Sequence, residues 1–132
     1  MIDLFKEGLI ARSYAYVKYS NFRVGAVLLF KNGDIVRGCN VENASYGLSN
    51  CAERSAIFSA ISQGYDMNDC VEMLIVGDTK LPISPCGACR QVMSEFLKKD
   101  TKITLTNLTN VSKVMTVEEL IPYSFSDKDL NL

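Results

Sequence analysis

The sequence contains no histidine, and this absence excludes more chemistry than any other feature of its composition. Serine–histidine and cysteine–histidine nucleophiles need an imidazole, and so does a histidine metal site. Histidine is also the usual proton shuttle near neutral pH. Any catalysis by this chain therefore has to use cysteine, glutamate, aspartate, lysine or tyrosine.

Long hydrophobic runs and an excess of charge are also missing. The longest apolar run, Val24 to Phe30, has seven residues, far short of the ~20 that a membrane-spanning helix needs. Lys and Arg number 14 against 15 Asp and Glu, for a formal net charge of −1, so the basic excess that favours binding to a phosphate backbone is absent. The residues from Met1 to Glu7 do not resemble an export signal. We therefore expect a cytoplasmic protein with no membrane segment and no nucleic-acid partner.

What the chain does contain is a balanced globular composition and five cysteines. Its 132 residues are 48% apolar and 22% charged, which predicts a single domain over residues 1–132. The odd number of cysteines argues against a disulfide framework and favours reduced thiols, some of them metal ligands. The five are Cys39, Cys51, Cys70, Cys86 and Cys89.

Four helices are predicted from apolar periodicity and from capping residues. The first is an amphipathic helix over residues 2–17, and the second runs from near Cys51 to Gly64, capped by Ser49 or Asn50. The third is capped by Ser84, has Pro85 in its first turn and runs to about Lys99. The last is a short helix before Pro122 that begins with a capping box of Thr116 and Glu119.

Strand-like runs predict a mixed sheet. The expected strands are Arg23–Phe30, Ile35–Glu42, Cys70–Gly77, Lys102–Leu108 and Val111–Val117, with a loop over residues 43–50. Asn32-Gly33 favours a tight primed turn between the first two strands. The link between the last two is too short for a parallel crossover, so that pair should be antiparallel. The order of elements predicts an α/β fold, a three-layer α/β/α sandwich around a mixed five-stranded sheet.

The spacing of three cysteines predicts a metal site. A lone Cys-x-x-Cys, such as Cys86 and Cys89, is a redox pair, half of a zinc site or chance. Here Cys51 opens a separate helix, and two helix N-termini that converge would stabilise thiolates with their positive dipole ends. Three thiolates leave one tetrahedral position open, which is the pattern of a catalytic zinc. Cys39 and Cys70 are instead expected to be small core residues.

Glu53 follows the first candidate ligand by two residues and is the candidate catalytic group. A carboxylate beside metal-activated water is the natural proton shuttle in a chain without histidine. The alternative interpretation is a solvated first-turn carboxylate that complements the helix dipole.

At this point the sequence resembles a known family. Cys51-Ala52-Glu53 and Pro85-Cys86-Gly87-Ala88-Cys89-Arg90-Gln91 are similar to the motifs of the cytidine deaminases. Cysteine, not histidine, at the first position is typical of the small enzymes that act on free nucleosides. Nearly the whole chain takes part in the resemblance, which extends to residues 22–26, 40–46 and 120–125.

The resemblance implies a reaction and a set of substrate contacts. Cytidine and deoxycytidine would be hydrolysed to uridine and deoxyuridine in pyrimidine salvage. Water would attack ring position 4, Glu53 would protonate the ring nitrogen, and ammonia would leave. Asn40 and Glu42 match a ribose-binding pair and Phe22 a residue that packs on the pyrimidine, with Ala52 also at the substrate. Arg23 stands where the family more commonly has proline.

The resemblance further implies a homotetramer with one Zn²⁺ per subunit. The segment Ala44, Ser45 and Tyr46 and the tail residue Phe125 would complete a neighbouring subunit's pocket. Arg54 and Gln91 would donate hydrogen bonds to the ligand sulfurs or to each other.

Three rival functions are open to the same residues. A deaminase of a cytosine nucleoside antibiotic such as blasticidin S shares the architecture, but the Asn40/Glu42 pair favours a plain ribose. A non-enzymatic zinc module leaves the position of Glu53 unexplained. A tRNA or DNA deaminase is disfavoured by the net charge.

Overall fold

The computed structural model describes residues 2–132. The helices are α1 (Leu4–Ser13), α2 (Ala52–Ser62), α3 (Gly87–Phe96) and α4 (Val117–Leu120), and the strands are β1 (Val24–Phe30), β2 (Ile35–Cys39), β3 (Cys70–Gly77), β4 (Lys102–Asn107) and β5 (Ser112–Thr116). Short 3₁₀ turns lie at Tyr46–Leu48, Met67–Asp69 and Asp127–Leu130. In this part of the chain no helix is long and apolar enough to cross a membrane.

The five strands form one mixed sheet in the order β2-β1-β3-β4-β5. Strands β3 and β4 run parallel, and the other neighbouring pairs, β4–β5 among them, are antiparallel. The connection between the two parallel strands contains α3. The mixed sheet and the antiparallel final pair are confirmed.

Two glycines show that helices cover both faces of the sheet. A Cβ on Gly25 would lie 2.2 Å from the carbonyl oxygen of Gly8 in α1, whereas one on Gly38 would lie 2.3 Å from the nitrogen of Ala56 in α2. Gly38 pairs with Ala26, the neighbour of Gly25, so the two glycines face opposite sides. The predicted α/β/α layering is therefore confirmed.

The main hydrophobic core lies on the α2 and α3 side of the sheet. Its fully buried side chains include Leu28, Ile57, Met73, Ile75 and Met93. Cys70 belongs to this core, as predicted, and Cys39 is half-buried at the end of β2.

Helix α1 is shorter than predicted. Asp3 caps it by accepting a hydrogen bond from the Lys6 N–H at 3.2 Å, and the last helical residue is Ser13. Tyr16 instead forms a parallel bridge with Val41. A long-range backbone contact therefore overrides the helical periodicity that extended the prediction to residue 17.

The two helices that carry the cysteines begin at the cysteines themselves. Cys51 is the N-cap of α2, so the predicted caps Ser49 and Asn50 are wrong. Cys86 is the N-cap of α3, and its sulfur accepts from the Cys89 N–H at 3.4 Å. The predicted start at Ser84 is wrong because the backbone is still extended at Cys86, and the first helical residue is Gly87. Helix α3 also ends earlier, at Phe96, because the backbone of the next residue is extended.

Strand β2 ends at Cys39, three residues before the prediction. The Asn40 side chain bonds the backbone of the loop before β1, and Val41 pairs with both Tyr16 and Asn50 outside the sheet. These contacts bend the chain out of the sheet and toward Cys51.

The turns were only partly predicted. Gly33 has a φ of 93° and donates to the carbonyl of Phe30, but Asn32 is not left-handed, so the turn is not of the primed type. The capping box of Thr116 and Glu119 is present as predicted, and it ends β5 at Thr116.

Candidate metal centre and active site

Three thiols meet where the N-termini of α2 and α3 converge. The Sγ atoms of Cys51, Cys86 and Cys89 all lie within 4.8 Å of one another, and those of Cys51 and Cys86 are 3.7 Å apart. Tetrahedral zinc with Zn–S bonds of about 2.3 Å would place two sulfurs about 3.8 Å apart. The trio is therefore positioned to bind a metal ion, and its sulfur donors and the Cys51–Cys86 distance fit zinc.

The surroundings of Cys51 favour its thiolate form. The pKa of Cys51 is lowered to about 5, chiefly by a hydrogen bond from the Cys89 thiol and further by Arg54 and Cys86. Because Cys89 shares its proton with Cys51 and is buried, its own pKa is raised. The site thus holds negative charge on sulfur before any metal neutralises it.

Arg54 supplies the compensating positive charge. Its Nη2 donates to the Cys51 sulfur at 3.3 Å, and this bond raises the pKa of the guanidinium. Arg54 is held on the first turn of α2, one helical turn after the ligand that it contacts.

Glu53 is buried beside the thiols and is not a solvated carboxylate. The residue is only 5% exposed, and it lies close to the thiols of Cys51 and Cys89. Burial raises its pKa, and the charge on Cys51 adds to that effect. The first turn of α2 therefore presents a metal ligand and a desolvated carboxyl group at one point.

Asn40 and Glu42 flank Val41, which pairs with Asn50, the residue before Cys51. Both side chains bond backbone of the loop before β1. Asn40 accepts from the Val24 N–H at 2.9 Å and donates to the Phe22 carbonyl at 2.8 Å. The Glu42 carboxylate accepts from the N–H groups of residues 19 and 20 and from the Ser20 hydroxyl. Those bonds lower the pKa of Glu42, so it stays ionised.

Phe22 lies at the carboxyl end of β3. The residue is 39% exposed, and its ring lies close to Gly77, the last residue of β3. Ile83, three residues before Cys86, packs against the same glycine. Arg23 does not disrupt the loop. Its guanidinium donates to the Ala15 carbonyl at 2.7 Å and so fastens the loop to the end of α1.

The candidates for contacts between subunits are exposed. Ala44, Ser45 and Tyr46 lie on the surface, with Tyr46 76% exposed. A depression of about 280 Å³ lies between Tyr46 and Glu42. Phe125 is 59% exposed in the C-terminal tail. Ala52, by contrast, is the first residue of α2 and is fully buried.

Two neighbouring side chains on α3 donate hydrogen bonds to segments outside that helix. Gln91 donates to the carbonyl of Phe125 at 3.0 Å and so fastens the tail, whereas we expected it to bond a ligand sulfur or Arg54. The sequence reasoning missed Arg90, which bonds Ser84, Pro85 and Leu120. The position of Arg90 within the motif was the only available signal.

Comparisons with known proteins agree with this geometry. The model of the cytidine and deoxycytidylate deaminase zinc-binding region matches residues 3–105. The chain is 54% identical over 128 residues to a cytidine deaminase of Halalkalibacterium halodurans, covering 97% of this chain and 96% of that protein. It is 47% identical over 128 residues to a cytidine deaminase of Sporosarcina psychrophila, covering 97% and 93%. A crystal structure of cytidine deaminase from Burkholderia pseudomallei superposes with a TM-score of 0.90 at 48% identity, covering 92% of this chain and 96% of that one.

Proposed function

Since the chain belongs to the family of cytidine and deoxycytidylate deaminases, we propose that it is a zinc-dependent enzyme that hydrolyses cytidine to uridine and ammonia. The observation that carries this function is the convergence of three thiols from two helix N-termini beside a buried glutamate. A metal site that served only to stabilise the fold would leave that glutamate without a role.

Cys51, Cys86 and Cys89 are the residues that would hold the zinc. A zinc ion there would supply a Lewis acid that lowers the pKa of a water molecule toward about 7. Arg54 offsets the charge of the thiolates through its bond to Cys51. The N–H groups at the start of α2 and α3 act in the same direction.

Glu53 moves the proton. In the proposed reaction it accepts a proton from the attacking water and passes it to the ring nitrogen of the substrate. Oxygen first adds to ring position 4. The hydroxyl so formed then gives up its remaining proton, again through Glu53, to the amino nitrogen; the bond to that nitrogen breaks as the carbonyl forms, and ammonia leaves. One water is consumed and one ammonia released, so no further reactant is needed. The burial of Glu53 supports this role because a desolvated carboxyl group exchanges its proton with bound partners instead of bulk water.

Asn40, Glu42 and Phe22 are proposed to bind the nucleoside. An amide and an ionised carboxylate provide a donor and an acceptor for one sugar hydroxyl. Because a single hydroxyl satisfies them, we include deoxycytidine among the substrates. The exposed Phe22 ring is free to pack on the pyrimidine, with Ala52 at the floor of the same site.

We also propose a homotetramer that acts in cytoplasmic pyrimidine salvage. The exposed aromatic side chains of Tyr46, Tyr123 and Phe125 support assembly, since a partner subunit would cover them. The segment 44–46 and Phe125 would then complete a neighbour's pocket. A reducing compartment supports the metal site because its thiols have to stay reduced.

Replacing the candidate proton carrier tests the function. We expect Glu53→Gln to keep its zinc and its fold while deamination falls by about 10²–10⁴-fold, because the amide cannot carry the proton. Turnover is followed by the absorbance change from cytidine to uridine, and bound zinc by a metal assay. Glu95→Gln makes the same chemical change on an exposed position of α3 and should retain full turnover. Unchanged turnover in Glu53→Gln would refute the mechanism.

A further inference from the structure

The guanidinium of Arg90 joins the residues just before Cys86 to the last residue of α4. Nε donates to the Pro85 carbonyl at 2.9 Å, Nη2 to the Ser84 hydroxyl at 2.6 Å, and Nη1 to the Leu120 carbonyl at 2.8 Å. All three nitrogens of the planar fork are therefore engaged. Two of the acceptors belong to Ser84 and Pro85, the residues immediately before Cys86. The third belongs to Leu120, the last residue of α4.

The segment that Arg90 fastens has few other hydrogen bonds, although Pro85 itself is buried. The backbone before this segment is held at Ile83, whose N–H donates to the Thr106 carbonyl. Ser84 and Pro85 follow it and connect it to Cys86. They belong to no strand or helix, and the Cys86 side chain is itself exposed. Packing around the exposed sulfur therefore does little to fix its place, and the backbone that precedes it is held by the packing of Pro85 together with the hydrogen bonds from Arg90.

We propose that Arg90 is a positioning residue for the metal centre, which holds the Cys86 sulfur at the distance from Cys51 and Cys89 that zinc requires. This inference rests on the proposed function, because it assigns a role in the same metal site. Arg90 contacts the carbonyl of the residue immediately before the ligand, and it stands on the helix that also carries Cys89. It thereby sets one ligand relative to another. Glutamine at this position is shorter and lacks the forked donors of a guanidinium. Lysine keeps the positive charge but cannot hold the three acceptors in one planar arrangement.

The rate of zinc release tests this role. Zinc-loaded protein is mixed with an excess of a chromogenic chelator, and the appearance of the metal complex is timed. We expect Arg90→Gln to release zinc about 10–100-fold faster than the wild type, the range seen when a residue that orients a ligand is lost. Arg90→Lys should fall between the two. Arg37→Gln, which breaks the exposed ion pair with Glu7, is the matched control and should release zinc at the wild-type rate.

Two further measurements separate positioning from general stability. In Co²⁺-substituted Arg90→Gln the thiolate-to-cobalt charge-transfer absorption should weaken, because one sulfur no longer reaches the metal. The midpoint of thermal unfolding should drop more in the zinc-loaded protein than in the metal-free protein. Ser84→Ala removes one acceptor at an exposed position and should shift zinc release in the same direction, which keeps the test available if Arg90→Gln does not fold.

Each outcome decides a different point. The positioning role would be overturned if Arg90→Gln released zinc at the wild-type rate and kept an unchanged cobalt spectrum. The same result in Ser84→Ala would overturn it if only that variant folds. Either result would leave the proposed function intact. Equal losses of thermal stability with and without metal would also overturn the positioning role. A wild-type chain that binds no zinc would overturn the proposed function and this role with it.

Discussion

At the scale of single residues, the cysteines differ in what surrounds each sulfur. Cys51 is stabilised as a thiolate by hydrogen bonds from Cys89 and Arg54, and its pKa is about 5. Cys70 lies in the core, where burial raises the pKa of its thiol to about 11. Burial also raises the pKa of Cys39. One residue type thus supplies both metal ligands and inert core groups, and the environment alone separates them.

The buried thiol of Cys70 makes stability depend on pH. Its pKa is about 11 in the fold against an ordinary value of 9.0, so as pH rises between these values the unfolded chain loses its proton first. The free energy of unfolding should fall through that window, by roughly 2–3 kcal/mol in total. Urea denaturation at pH 8 and pH 10.5 measures the fall, and Cys70→Ala should lack this part of it. An equal fall in both proteins would contradict the prediction.

The residues that carry chemistry could be predicted, and those that hold them in place only in part. Cys51, Glu53 and Cys86 are reactive types at helix N-termini, so spacing and chemistry reveal them. Arg90 and Gln91 bond backbone carbonyls, and a carbonyl is present at every position, so no sequence pattern marks the partner.

At the scale of elements, the metal centre depends on how closely α2 approaches β2. Gly38 makes this approach possible because a side chain there would collide with the backbone of Ala52 and Ala56. The N-terminal turn of α2, which presents Cys51, therefore rests directly on the sheet.

Adding one methyl group at this contact should disturb both the fold and the metal. We expect Gly38→Ala to lower the free energy of unfolding by about 1–3 kcal/mol or more, because its Cβ would lie 2.3 Å from the Ala56 nitrogen. Zinc affinity should fall with it as α2 shifts. Urea denaturation and competition with a chelator measure the two effects. Gly47→Ala, where a Cβ meets nothing within 4 Å, is the control, and equal stability of the two variants would contradict the prediction.

The elements were predicted more reliably than their ends. Strand β3 has the predicted bounds because an apolar run marks it by itself. The end of α1 and the end of β2 were both overestimated, since each is set by the pairing of Tyr16 with Val41 across 25 positions of chain. Local periodicity carries no information about such a contact.

At the scale of the whole molecule, the proposed assembly explains the aromatic tail. Tyr123 and Phe125 are exposed, although Gln91 fixes the backbone of the tail in place. A tail that is ordered but uncovered is what a subunit would offer to a neighbour's pocket. The homotetramer should have four times the 14.6 kDa mass of one chain, which light scattering measures.

Mixed assemblies test whether pockets are shared. Glu53→Gln lacks the proton carrier, and Phe125→Ala lacks the residue proposed to reach a neighbouring pocket. Each variant alone should have low activity. When the two are co-expressed, some pockets combine an intact Glu53 with an intact Phe125 from the partner, so cytidine turnover should rise above that of either variant. No recovery in a confirmed mixed tetramer would contradict the shared pocket.

The layered fold could be inferred from the order of elements, but the strand order could not. The short β4–β5 link dictates an antiparallel pair. Nothing comparable shows that β1 lies between β2 and β3, because that order depends on which faces of the sheet α1 and α2 cover.

The wide separation of the ligands along the chain has a consequence for folding. Cys51 and Cys86 are 35 positions apart, yet their sulfurs are 3.7 Å apart. An ion shared by them is a reversible cross-link that closes this loop, and such a link disfavours the expanded chain more as the loop lengthens. Its binding free energy is then part of the free energy of folding. A chain that loses its zinc therefore loses a cross-link between α2 and α3 as well as its catalytic metal.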